Sequence, residues 1–193
     1  MKRIVFADVE STGLDPAKHF AWDVALIVRD PTSVTDREYQ WFIEPDLSTA
    51  DAMALTIGGY YKRTADLKSP RTRDNKALKW TDPVKLAPFL AHLLDGAVLV
   101  GQNTWFDAGF LSALLRANEH VLTCDYHYQN LGSLLAGWLR GRGIQVPQSL
   151  KLDDLARAAG LSLDGYNRHT AIGDTRLTRD AFDLVMGERP WVP

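Results

Sequence analysis

The run Ile4-Val5-Phe6-Ala7-Asp8-Val9-Glu10 places two carboxylates two residues apart in an otherwise apolar stretch, which stops at Ser11-Thr12-Gly13-Leu14. Side chains on a strand alternate between faces, so Asp8 and Glu10 project together from whichever face they share. Like charges held that close resist ionising together unless a cation lies between them. The pair therefore asks for a divalent metal, and two acids further along the chain can complete its site.

A chain of 193 residues is long enough for one domain with a sizeable core. With 46% hydrophobic and 24% charged residues it has the balance of a globular protein, and no apolar run approaches the length of a membrane span. Met1-Lys2-Arg3 leads directly into the first strand without the apolar region and cleavage site of a secretory signal, so a cytoplasmic location is expected. The one cysteine, Cys124, has no partner for an internal disulfide and is expected to be a small buried hydrophobe. A net charge of -2 gives no overall attraction for a polyanion, which would have to come from local patches and bound metal.

Lys2–Val9, Trp22–Arg29 and Glu38–Ile43 read as successive strands of a meander, joined through Gly13-Leu14-Asp15-Pro16 and Arg29-Asp30-Pro31. Pro83–Leu94 reads as an amphipathic helix, Ala97–Gly101 as a short buried strand and Thr104–Ala117 as a second helix. A strand over His120–Cys124 follows, then helical segments over Gln129–Leu139 and Leu152–Ala159, the latter closed by Gly160, and a last helix ending near Met186. Strands first, then alternating helices and strands, indicate a mixed sheet with helices packed on it. With no repeat, low-complexity tract or linker, residues 1–187 are expected to form a single domain and 188–193 a short tail.

Two of these helices open their inward face with an acid. Asp107 lies one turn before Phe110 and Leu111, in line with Leu114 and Leu115, and Asp174 precedes Leu177, Ala181, Leu184 and Val185. Either acid alone is explained as well by favourable interaction with a helix N-terminus. Both together, added to the strand pair, favour a metal site, because isolated carboxylates are costly to bury.

These residues resemble the motifs of the DEDDh 3′-5′ exonucleases, the DnaQ-like family that includes the proofreading epsilon subunit of bacterial replicative DNA polymerase III. Asp8-Val9-Glu10-Ser11-Thr12-Gly13-Leu14-Asp15-Pro16 is close to D-x-E-T-T-G-L-D-P. Val100-Gly101-Gln102-Asn103-Thr104-Trp105-Phe106-Asp107 resembles V-G-H-N-x-x-F-D, and His169-Thr170-Ala171-Ile172-Gly173-Asp174 is similar to H-x-A-x-x-D. Three motifs in order and at family spacing are a strong signal. Lys151-Leu152-Asp153-Asp154-Leu155-Ala156 also resembles the family's segment before the third motif. Ser11 replaces the usual Thr, Gln102 replaces a His, and Asp23 stands where a second-strand Glu is common, where a supporting structural role is expected.

The resemblance implies an α/β, ribonuclease H-like fold: a five-stranded mixed sheet of order 3-2-1-4-5, its first three strands antiparallel, flanked by helices. It further implies two divalent cations, Mg²⁺ or Mn²⁺, bridged by Asp8, with Glu10 and Asp174 on one and Asp107 on the other. Oxygen-only ligands suit such hard cations better than zinc. His169 is the implied general base, and an imidazole titrates near working pH; its bland alternative is a surface histidine that helps start the last helix. Ser11, Thr12, Gly13 and Leu14 are expected to receive the 3′ end, with Leu14 against the terminal base or, alternatively, a core leucine capping an ordinary turn. Asn103 and Phe106 resemble substrate-side residues, although Phe106 fits a core position equally.

The implied activity is hydrolysis of single-stranded or frayed DNA 3′ ends to nucleoside 5′-monophosphates, with a DNA polymerase as a candidate partner. RNA trimming by the same catalytic set is an alternative, as is a binding module without turnover. Between Tyr60 and Lys85, the cations Lys62, Arg63, Lys68, Arg71, Arg73, Lys76, Lys79 and Lys85 are interleaved with Tyr60, Tyr61 and Trp80. That composition fits a flexible nucleic-acid-binding wall or a solvated loop. Gln148-Ser149-Leu150-Lys151-Leu152 reads either as a sliding-clamp peptide or as a helix start, and Arg189–Pro193 as a docking tail or a packed end.

Overall fold

Val5, Ala7 and Val9 alternate with Phe6, Asp8 and Glu10 along β1 (Ile4–Ser11), and this alternation divides the molecule into two helical layers. The computed structural model describes residues 2–65, 67 and 80–187. β1 pairs antiparallel with β2 (Ala21–Arg29), which pairs antiparallel with β3 (Arg37–Phe42). The short helices α1 (Ala52–Ile57) and α2 (Tyr60–Thr64) come next, then α3 (Pro83–Leu94), β4 (Val98–Gly101) and α4 (Thr104–Ala117). The chain continues through β5 (Gln129–Asn130), α5 (Leu131–Gly141), α6 (Leu152–Ala158) and α7 (Ala171–Met186). β4 lies parallel to β1 and β5 parallel to β4, giving the expected order 3-2-1-4-5 with strands 1 to 3 antiparallel.

On one face, Val5, Ala7, Val9 and Leu99 pack under Leu86, Leu90 and Leu94 of α3 and Phe110, Leu111 and Leu115 of α4. On the other, Phe6, Ile27 and Val100 meet Leu131, Leu135 and Leu139 of α5, Leu155 of α6, and Leu177, Ala181 and Phe182 of α7. Burial of these side chains drives the docking of both layers. A third, smaller core joins Trp22 and Phe42 to Leu55 and Tyr60 of α1 and α2. No helix among the described residues is long and apolar enough to cross a membrane.

One expected strand is absent. His120–Cys124 has no strand geometry; its segment touches the start of β4 through Gly96 N–H to Thr123 O (3.0 Å) and Asp125 N–H to Ala97 O (2.8 Å). The Asp125 carboxylate then accepts the His127 amide at 2.8 Å, a local bond that turns the backbone away from a ladder. The fifth strand forms later, at Gln129–Asn130, and the Asn130 side chain accepts Ser133 N–H at 2.9 Å, so α5 starts at Leu131 rather than Gln129. Cys124 is half-buried rather than part of a core. α1 and α2 went unrecognised in the sequence because neither spans two turns and no apolar periodicity can accumulate over that length.

Arg29 closes the end of β2. Its guanidinium bonds both Asp36 oxygens (3.1 and 2.9 Å) and Asp183 Oδ2 on α7 (2.9 Å), and stacks over Phe6 at 5.0 Å. All three charged side chains are nearly buried. Arg29→Ala removes the cation that Asp36 and Asp183 share, and is expected to lower unfolding free energy by about 3 kcal/mol in urea melts. An unchanged midpoint would show that the ion triad is not what holds α7 to the sheet.

Candidate active site

β1 outruns β4. The parallel ladder ends at Phe6 opposite Val100, so the later amides of β1 on that side need other acceptors. Asp107, in the first turn of α4, meets that need: its Oδ1 accepts Val9 N–H at 3.2 Å and its side chain is buried. Gly101 makes the approach feasible, since a Cβ there would fall 2.8 Å from Asp107 Oδ2 and 3.3 Å from Ala7 O.

Asp8 and Glu10 face the other layer, where α7 begins. Thr170 caps that helix by accepting Gly173 N–H at 3.1 Å, which fixes Asp174 in the first turn. One oxygen from each of Asp8, Glu10 and Asp174 lies within 4.8 Å of the others. Asp107 is not part of this triad; it reaches the edge of β1 from the other helical layer, and its charge bears directly on Asp8. The sequence-expected acids therefore meet around the end of β1 from both layers.

Burial, then the negative charges of Asp107, Glu10 and Asp23, hold the Asp8 carboxyl well above the usual carboxylate range, with Arg168 opposing. Burial also raises Glu10, against the pull of Arg63 and Arg168. Asp107 is pushed up to about 7 by burial, although the Val9 amide favours its ionised form. Three acids with a raised appetite for protons, joined by Asp174 and all offering oxygen, fit hard divalent cations, which would replace those protons.

Two arginines supply the positive charge: Arg168, which the motifs did not single out, and Arg63, expected instead in a wall for nucleic acid. Arg168 pairs with Asp174 and with Asp153 of α6, donating through Nε to Asp153 at 2.7 Å. Its position directly before His169 was the available signal. Arg63 pairs with Asp23, donates to Gly58 O (3.1 Å) and His169 O (3.4 Å), and stacks over Trp22 at 4.7 Å. Asp23 is fully buried and also accepts Gln40 Nε2 (2.9 Å) and Ala171 N–H (3.1 Å). It joins β3, α2 and the start of α7.

His169 is exposed and lies in the left-handed region at φ 59°. Its amide donates to Asp174 Oδ1 at 3.2 Å, which places the residue beside the triad. The loop can fold back onto α7 because Gly173 has no side chain: a Cβ there would sit 2.0 Å from Asn167 O. In the first turn after β1, Ser11 Oγ donates to Gly13 O (2.6 Å), while buried Thr12 exchanges two hydrogen bonds with Phe20, both 2.9 Å. Gly13 lies under the His19 ring, and Leu14 is 79% exposed, which rules out the core-leucine alternative. Asn103 is exposed and its side chain makes no capping bond; Phe106 is half-buried against the main core, 4.9 Å from Phe110.

The basic stretch divides. Lys68, Arg71, Arg73, Lys76 and Lys79 lie outside the described residues, as does the tail from Arg189 to Pro193. Of the others, Arg63 is committed to Asp23 and Tyr60 to the third core, while Lys62, Tyr61 and Lys85 are exposed. Leu152 is buried in α6, so the helix-start reading of Gln148–Leu152 holds.

No family model matches the chain. Among solved structures it resembles E. coli exonuclease I: a zinc-bound complex with single-stranded DNA (TM-score 0.72, 20% identity, 98% of this chain and 41% of that one). Complexes of the same enzyme with a dT13 oligonucleotide (TM-score 0.69, 20% identity, 97% and 40%) and a dA16 oligonucleotide (0.70, 20%, 98% and 41%) also match. The chain spans about two fifths of the length of these proteins. At that identity the likeness establishes the fold, the ribonuclease H-like sheet expected from the motifs.

The raised carboxyls set a pH dependence. A group whose folded pKa exceeds its unfolded value stabilises fully below the unfolded pKa, and that contribution is lost as pH rises through the folded pKa. In EDTA, the melting temperature is expected to fall between about pH 5 and about pH 8, with Asp8→Asn flattening the slope. Saturating Mg²⁺ or Mn²⁺ should raise it most at the alkaline end. Thermal melts across that range check both; a flat wild-type profile would contradict the shared charge burden.

Proposed function

We propose that the chain is a metal-dependent 3′-5′ exonuclease of the DEDDh type, a single domain over residues 1–187 acting in the cytoplasm on single-stranded or frayed DNA ends. The observation that carries this reading is the meeting of Asp8, Glu10 and Asp174 oxygens within 4.8 Å, with Asp107 at the edge of β1 and His169 bonded through its amide to Asp174. That similarly folded chains were captured with single-stranded oligonucleotides supports the substrate class. A DNA polymerase supplied as a separate chain is the candidate partner, on the motif resemblance.

Asp8, Glu10, Asp107 and Asp174 would hold two Mg²⁺ or Mn²⁺ ions, which when bound stabilise charge on the attacking and leaving oxygens of an in-line displacement. The rest is work for the protein's own groups. Leu14, exposed on its turn, bears on the terminal base, while the Ser11–Gly13 backbone receives the terminal sugar. Asn103 and Phe106 line the opposite side at the start of α4. His169 takes the proton from the attacking water, and its exposed position lets the ring reach solvent to release it. Cleavage breaks the bond from phosphorus to the 3′ oxygen and frees a nucleoside 5′-monophosphate, and the leaving oxygen takes up a proton from solvent to become the new 3′ hydroxyl.

A gel time course with 5′-labelled single-stranded DNA and its RNA counterpart, in Mg²⁺, Mn²⁺ or EDTA, tests the reading. Wild type should yield a metal-dependent ladder shortening from the 3′ end, DNA faster than RNA, and Asp8→Ala or Asp174→Ala none. His169→Ala should lose about 100-fold or more in kcat while still binding metal. A fully active His169→Ala removes the base assignment. Folded, metal-loaded wild type that cuts neither strand would favour the binding module.

A further inference from the structure

Trp105 belongs to none of the three cores and is 69% exposed. Its ring meets Tyr128 edge to face, with centroids 4.7 Å apart and planes at 61°. Tyr128 is the anchored member: it packs against the main core, and its hydroxyl contacts Cys124 Sγ at 3.7 Å. The two elements are fastened together next to the pair, since Thr104 Oγ1 donates to Gln129 O at 2.7 Å. The indole is thus held against the tyrosine while most of its surface stays open to solvent.

Trp105 also stands in a telling place. It lies two residues before Asp107, about 200° around the helix, so it points outward where Asp107 points to β1. Gly109 follows one turn later on the same stripe, and a Cβ there would fall 3.3 Å from Pro16 Cγ. The stripe therefore packs at Gly109 against the turn that also carries Leu14, itself exposed. A single exposed apolar residue needs no explanation. An indole braced by a core-anchored tyrosine, in the same first helical turn as Asp107, is arranged for a flat partner.

We propose that Trp105, braced by Tyr128, is a stacking platform for an unpaired base of the nucleic-acid substrate on the 5′ side of the scissile phosphate. This rests on the exonuclease reading and extends it from the terminal nucleotide to its neighbour. Every base has a π-face, so such a contact is tolerant of sequence. In a duplex that face is covered by the adjacent pair, so the platform favours single strands.

The test measures binding of 5′-fluorescein-labelled (dT)8 to the full chain by anisotropy, in Ca²⁺ to suppress turnover, with wild type, Trp105→Phe and Trp105→Ala. Trp105→Ala should weaken Kd about tenfold, and Trp105→Phe should recover most of that loss. Oligomers carrying one abasic site localise the contact: an abasic penultimate position should weaken wild type by a similar factor, and should cost Trp105→Ala nothing further. Equal affinities for all three proteins, or an abasic effect that persists in Trp105→Ala, would overturn the platform. Hydrolysis of thymidine 5′-p-nitrophenyl phosphate by wild type in Mn²⁺ separates the two readings. Turnover of the ester with no effect at Trp105 sinks the platform alone; no turnover of ester or oligomer sinks the exonuclease reading and the platform with it.

Discussion

Repulsion among the buried carboxylates at one end of β1 is the constraint around which this fold is arranged. Burial alone would drive Asp8, Glu10 and Asp107 toward their protonated forms, and their proximity adds to it. The surrounding structure offsets that cost with fixed positive groups. Val9 N–H serves Asp107, Arg168 serves Asp174, and Arg63 relieves the neighbouring Asp23. A cluster so unfavourable to stability is the kind of feature that persists for chemistry rather than for folding.

α7 is held to β2 at both ends, and the two elements match in length. From Asp23 to Arg29 the strand advances about 20 Å, and from Ala171 to Asp183 the helix advances about 18 Å. Asp23 accepts the Ala171 amide at one end and Arg29 bonds Asp183 at the other. Fixing both ends sets the rotation and height of α7, and with them the position of Asp174. Residues remote from the acids therefore have a geometric stake in the site, because oxygen ligands must converge to within a fraction of an ångström to hold a small hard cation.

Much of this was legible before any coordinates. The strand period put Asp8 and Glu10 on one face, the helical period put Asp107 and Asp174 at the head of inward stripes, and motif order implied the sheet. α3 and α4 fall where their apolar spacing and end signals put them. The misses have physical causes. The fifth strand is two residues long, too short for any period to show, and Asp125 diverts the chain where a strand was expected. Arg63 was grouped with cations for phosphate, whereas a fully buried acid 40 residues away claims it.

Which residue types are available for chemistry, and which elements carry them, is written in the order of residues, because strand and helix periods and turn signals are local properties of the chain. How they meet is a matter of packing in three dimensions. Packing brought Asp174 to Asp8 and Glu10, turned Asp107 onto the Val9 amide, and left Leu14 and Trp105 exposed. It also chose which arginine balances which acid. Ion pairing and packing depend on distances between residues far apart in the chain, and those distances exist only once both helical layers have closed on the sheet.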